Sequence, residues 1–178
     1  MLPDVVPRDD RDVHSVAFVV TVRPGIGRQD AGPRDGECGS RPGLYEGERD
    51  TVGPPMSLVE GCTVTGGAEG IVTHYASASR DRVSGTSLRG ITLTEMSMGM
   101  AERNAVDGAT GIGILCGDHS LCELAGNTVS AVRPDRASQD PTRMGYAIVS
   151  QFGAEAELHG KHVSGRIAAF LGGTFVRR

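Results

Sequence analysis

SLCELAGNTVSAV (residues 120–132) carries a pattern that recurs along the chain. Its NTVSA (127–131) aligns with CTVTG (62–66), DRVSG (81–85), NAVDG (104–108) and KHVSG (161–165) on the valines Val64, Val83, Val106, Val129 and Val163. These valines stand 19, 23, 23 and 34 residues apart, a spacing that signals a solenoid or repeat array. Five residues before each valine sit Val59, Ala78, Ala101, Leu124 and Leu158. Two residues earlier come Ser57, Ala76, Gly99, Cys122 and Ala156. Both columns are small or apolar and two residues apart, which is strand alternation with one set pointing inward.

After each valine comes a variable loop and then a second apolar run: GIVT (70–73), RGITLT (89–94), GIGILC (111–116), GYAIVS (145–150) and RIAAF (166–170). Each unit therefore reads as strand, one-residue bend, strand, variable loop, strand, second loop. The bend falls on Cys62, Asp81, Asn104, Asn127 or Lys161. Asn and Asp tolerate the left-handed backbone conformation of a sharp bend, so positive φ is expected at Asn104 and Asn127. Stacked asparagines also bond along a stack. No unit buries its apolar columns alone. Stacking the units about 4.8 Å apart joins them into parallel sheets around one core. Val83, Val106, Val129 and Val163 are then buried and in register.

The repeated N-x-V-x-G bend followed by G-I-x-L resembles the right-handed parallel β-helix of the pectin-lyase-like group, and most of all the short repeats common in bacterial proteins of unknown function. The resemblance covers residues 56–170. It implies an all-β, right-handed, single-stranded parallel β-helix of about five recognisable coils. As a guide to activity it is weak, because one fold hosts many functions. Enzymes of the resembling group place acidic and basic residues on the outward face of the first sheet. Here those positions read Val72, Thr92, Gly113, Leu115, Ala147 and Val149. None is a carboxylate, so no catalytic residue carries over.

Composition agrees with a solenoid. Twenty-six glycines and 4% aromatic residues suit tight turns, and apolar residues rarely recur at helical spacing. The net charge of −4 gives no general attraction to nucleic acid. No apolar run reaches the 18 or so residues of a membrane helix. MLPDVVPRDD (1–10) lacks the basic-then-apolar form of a signal peptide, whereas proteins of the resembling group are often exported or cell-surface. The organisation expected is an N-terminal segment, 1–55, and a β-helix domain, 56–178. Within the first, 13–22 (VHSVAFVVTV) is one candidate strand and the rest reads as loop or disorder.

Loops on a rigid scaffold are the usual seat of function. The longest insertion, 131–145, holds Arg133, Asp135, Arg136, Asp140 and Arg143, and the loop at the other edge of the first sheet holds Asp118 and His119. Together these suit an anionic sugar or a cation, against the plainer reading of a solvated loop with paired charges. CGDHSLC (116–122) admits three readings: buried free thiols first, then a disulfide closing the loop, then a metal site on Cys116, His119 and Cys122. The last matches no established zinc spacing, so no metal and no cofactor is expected.

These features lead to a non-catalytic binding or structural module that presents loops to a carbohydrate or protein partner. The alternative is a polysaccharide lyase or hydrolase of the resembling group, truncated or degenerate. The apolar outer row of Val72, Leu115 and Val149 calls for a cover: the 16–22 strand, the long insertion or a second copy of the chain. An unpaired solenoid end offers another route to self-association.

Overall fold

A computed structural model describes residues 39–42, 57–74, 76–160 and 163–178. The candidate strand at 13–22, Cys38, most of the RPGLYEGE turn and the bend residue Lys161 lie outside them.

The described chain is a parallel β-solenoid of about five turns. Its sixteen strands, numbered along the chain, form three sheets. The first sheet stacks β4 (Glu69–Thr73), β7 (Arg89–Leu93), β10 (Ile112–Cys116), β13 (Tyr146–Gln151) and β15 (Arg166–Phe170). The second stacks β2 (Ser57–Glu60), β5 (Ala76–Ser79), β8 (Met98–Glu102), β11 (Leu121–Ala125), β14 (Glu155–His159) and β16 (Thr174–Arg177). The third holds β3 (Thr63–Thr65), β6 (Arg82–Ser84), β9 (Ala105–Asp107) and β12 (Thr128–Ser130). Two outcomes extend the sequence reading. β1 (Gly39–Pro42), in a stretch read as loop, pairs antiparallel with β2 at the sheet edge. The terminal GGTFVRR supplies β16, paired in parallel with β14. The helix present among the described residues is a single 3-10 turn, Pro141–Arg143, and no described helix is long and apolar enough to cross a membrane.

The valine column holds in register as Val64↔Val83↔Val106↔Val129, and all four are buried. Val163 departs from expectation. It joins Val129 through an isolated bridge and is 36% exposed. Facing the valines are Ile71, Ile91, Ile114 and Ile148 from the first sheet and Val59, Ala78, Ala101 and Leu124 from the second, in one continuous core. The coils are thin, so β4, β7 and β10 carry the glycines Gly70, Gly90 and Gly113 where they meet the valine column. A Cβ on Gly90 would stand 2.4 Å from Val106 Cγ1 and 2.6 Å from the Gly113 carbonyl oxygen.

This packing corrects the reading of the first sheet's outer row. Gly113 faces inward, its absent Cβ pointing at Val129 and Val132, and Ala147 belongs to the core. The outward row is Val72↔Thr92↔Leu115↔Val149, with Leu115 and Val149 in a separate cluster with Ile112, Tyr146 and Phe170. The whole row is buried.

The bends are also corrected. Positive φ falls one residue earlier than expected, on Gly61, Arg80, Arg103, Gly126 and Gly160, and not on Asn104 or Asn127. The asparagines are there for their side chains. Asn127 Oδ1 accepts the Asn104 N–H at 3.0 Å and its Nδ2–H at 3.1 Å, while Asn127 Nδ2 donates to the Ala101 carbonyl at 2.7 Å. Asn104 Nδ2 donates in the same way to the Ala78 carbonyl at 2.9 Å. A buried bend would otherwise leave these backbone groups without partners.

Candidate functional site

The two loops singled out from the sequence sit at opposite ends of the first sheet. The insertion 131–145 enters β13 and the 116–122 loop leaves β10, so a strand of roughly 17 Å separates them. Within the insertion the charges answer one another. Asp135 pairs with Arg143, and Arg133 Nη2 donates to the Gly108 carbonyl at 3.0 Å. Asp140 caps the 3-10 turn by accepting the Thr142 N–H at 2.8 Å and its hydroxyl at 2.7 Å. Burial pushes the Asp140 carboxyl up, but those two bonds and the nearby Arg143 and Arg89 outweigh it and hold the group below the usual carboxylate range. Arg136 is exposed. The insertion is anchored to the solenoid by a parallel bridge between Thr110 and Arg133 and by the Gly111 N–H donating to the Arg133 carbonyl at 2.7 Å.

At the other end, Asp118 and His119 are exposed and have positive φ. They belong to a corner that repeats in each coil. The Met96 N–H donates to the Asp118 carbonyl and the His119 N–H to the Phe152 carbonyl, each at 2.8 Å, and the Gly153 N–H donates to the Leu171 carbonyl at 3.1 Å. The Asp118 carboxylate takes the Thr94 hydroxyl at 2.5 Å. Cys116 and Cys122 are joined in a disulfide, Cα to Cα 6.1 Å, which replaces the free-thiol reading. Cys62 is disulfide-bonded too. No group of three or more His, Cys, Asp or Glu side chains among the described residues is arranged to hold a metal.

Two cavities open on the second sheet and the solenoid end. The larger, about 650 Å³, lies where the columns Leu124–Leu158 and Ile148–Ile167 run out at the last coil. The smaller, about 250 Å³, is a groove on the outer face of the second sheet. Met98, Met100 and Leu121 line one side and Glu123, Glu155 and Glu157 the other. Register explains the grouping, since Met98↔Leu121↔Glu155 and Met100↔Glu123↔Glu157 are outward columns of adjacent strands. Beside the groove the corner exposes Phe152 and Leu171.

None of the charged residues singled out in the two candidate loops lines this groove. The sequence did contain the signal. In SLCELAG the inward residues are Cys122 and Leu124, which leaves Leu121 and Glu123 outward. Following only the inward columns passed over Met98 and Leu121. No protein family, curated protein or solved structure matches the chain.

Proposed function

We propose that the protein is a non-catalytic β-solenoid module that binds a protein partner through the outer face of its second sheet. The observation that carries this reading is an exposed apolar row that passes from the sheet to its corner over four successive coils: Met98 is 62% exposed and Leu121 52%, paired in register on the sheet, and Phe152 is 44% exposed and Leu171 67% at the adjoining corner. Single apolar residues on a surface are ordinary, but neighbouring ones beside a groove mark interaction sites. A protein partner fits this surface better than a sugar. The row is aliphatic and thioether in character apart from Phe152, whereas the ring pair Tyr146–Phe170, 5.5 Å apart with Arg166 stacked 4.7 Å over Tyr146, lies on the first sheet. A non-catalytic role is supported by Arg133, Asp135, Asp140 and Arg143 of the insertion, which are engaged with each other, with Thr142 and with backbone.

The test is a peptide-display selection on the full chain, run beside an assay for cleavage of polygalacturonate and alginate. Selected peptides should lose binding to a Met98→Ser/Leu121→Ser variant and keep it to Asp135→Ala/Arg143→Ala, with neither polysaccharide cleaved. Cleavage, or peptide binding indifferent to Met98 and Leu121, would overturn the reading.

A further inference from the structure

We propose that the groove of the second sheet takes a basic amphipathic helix of a partner protein, with apolar side chains on Met98, Met100 and Leu121 and Lys or Arg side chains against Glu123 and Glu155. This rests on the protein-binding reading above and adds the partner's chemistry to it.

Charge is the first argument. Glu123 and Glu157 are directly paired in register on adjacent parallel strands, and Glu155 stands two residues before Glu157 on the same face. Like charges so placed repel unless a cation joins them. Glu157 is already partnered, with Arg178 Nε at 2.7 Å and His159 Nε2 at 3.0 Å. Glu123 meets His159 Nε2 only at 3.8 Å. Glu155 is exposed beside Leu121 in register. The groove therefore combines an apolar side and an acidic side, with Glu123 and Glu155 the carboxylates left for a ligand's cations.

Geometry is the second argument. Met98, Leu121 and Glu155 form one outward column in register, climbing one coil per residue in steps of about 4.8 Å, with Phe152 and Leu171 exposed at the corner three residues before Glu155 and Thr174. A helix rises about 5.4 Å per turn, so a helix along the solenoid axis sets one side chain against each coil, apolar over Met98 and Leu121 and basic over Glu155. Its flanking positions then run past the column of Glu123 and Glu157. The surface is a sheet face with its backbone already paired, so recognition falls to side chains, as in other helix-in-groove complexes.

The test uses the full chain and three labelled peptides of about 14 residues: a Leu/Lys amphipathic helix, its Leu/Glu counterpart and a scrambled Leu/Lys sequence. Binding is followed by fluorescence anisotropy near physiological salt. The Leu/Lys helix should bind at least about tenfold more tightly than either control. Leu121→Ser should weaken it by a similar factor, and Glu123→Lys/Glu155→Lys should shift the preference to the Leu/Glu peptide. The substituted positions are exposed, and a thermal melt confirms each variant is folded; Leu121→Thr replaces Leu121→Ser if needed. Equal binding of both helices, each lost with Leu121→Ser, overturns the basic partner and leaves the protein-binding face standing. Leu/Lys binding that no substitution alters, or no binding by any peptide, overturns the proposal.

Discussion

Asn104 Oδ1 accepts the Asp81 N–H at 2.9 Å, and Asp81 Oδ1 accepts the Cys62 N–H at 2.7 Å, so an aspartate occupies a rung of an asparagine ladder. The substitution has a consequence. Each asparagine uses its Nδ2 to donate to a carbonyl of the preceding coil. Asp81 is 1% exposed and has Oδ2 in that place, without a hydrogen-bond partner. Burial raises its pKa from 3.8 to about 6; the backbone N–H groups of Cys62 and Ser79 pull it back, and Glu60 adds to the rise.

Folding therefore favours the protonated acid, which regains the missing donor. The unfolded group titrates near 3.8 and the folded one near 6, so this group's stabilisation is complete below about 4 and is lost as pH rises through about 6. Asp81→Asn should raise the thermal midpoint at pH 7 by several degrees and have little effect at pH 4. Melts of both proteins from pH 4 to 7 check this, and parallel pH profiles would contradict it.

The bends make a second prediction. Arg103 and Gly126 occupy equivalent positions with φ of 54° and 61°. A Cβ on Gly126 meets nothing closer than Arg103 Cγ at 3.6 Å, so any cost there is backbone strain and not collision. Gly126→Ala should cost about 1 kcal/mol, and Arg103→Gly should be neutral or slightly stabilising. Urea denaturation of the two variants measures both. A silent Gly126→Ala would show that the left-handed position is unstrained.

The repeat was legible because inward positions recur on a fixed column and the chain advertises them as Val, Ala and Gly. Asn104 and Asn127 were found for the wrong reason. Their type suggested left-handed backbone, whereas their side chains serve the stack and Arg103, which no propensity would nominate, takes the strained φ. Cys116 and Cys122 lie in inward columns, which is why they read as small hydrophobes; only the corner's geometry brings them within bonding distance. The groove was missed because alternation places Met98 and Leu121 outward in one column but the fold does not dictate the residue type there, so nothing marked them as apolar neighbours until the coils were stacked.

The disulfide can be tested separately from the rest of the core. It closes a short loop, with a sequence separation of 6, so the loss of chain entropy in the unfolded state stabilises the fold by about 2 kcal/mol. Reductant would also act on Cys62, so the informative protein is Cys116→Ser/Cys122→Ser without reductant. Its unfolding free energy from urea denaturation should fall by that amount, with a lower midpoint. A midpoint equal to the wild type would mean that the bond contributes nothing to stability.

The last prediction separates the two outer faces. Val106 is inward and 1% exposed, and Val149 is outward on the first sheet yet 0% exposed, while Leu121 is outward on the second sheet and 52% exposed. Sequence alternation alone assigns Val149 and Leu121 the same environment. Burial assigns Val149 to a packed layer with Ile112, Leu115, Tyr146 and Phe170. An unpaired carboxylate in either packed layer is expensive, so Val106→Asp and Val149→Asp should each cost several kcal/mol or prevent folding. Leu121→Asp should stay within about 0.5 kcal/mol, as exposed substitutions do. Thermal melts of the three variants rank them directly. If Val149→Asp proves as harmless as Leu121→Asp, the first sheet's outer row is not a packed layer, and the second sheet loses its distinction as the face that leaves its apolar side chains uncovered.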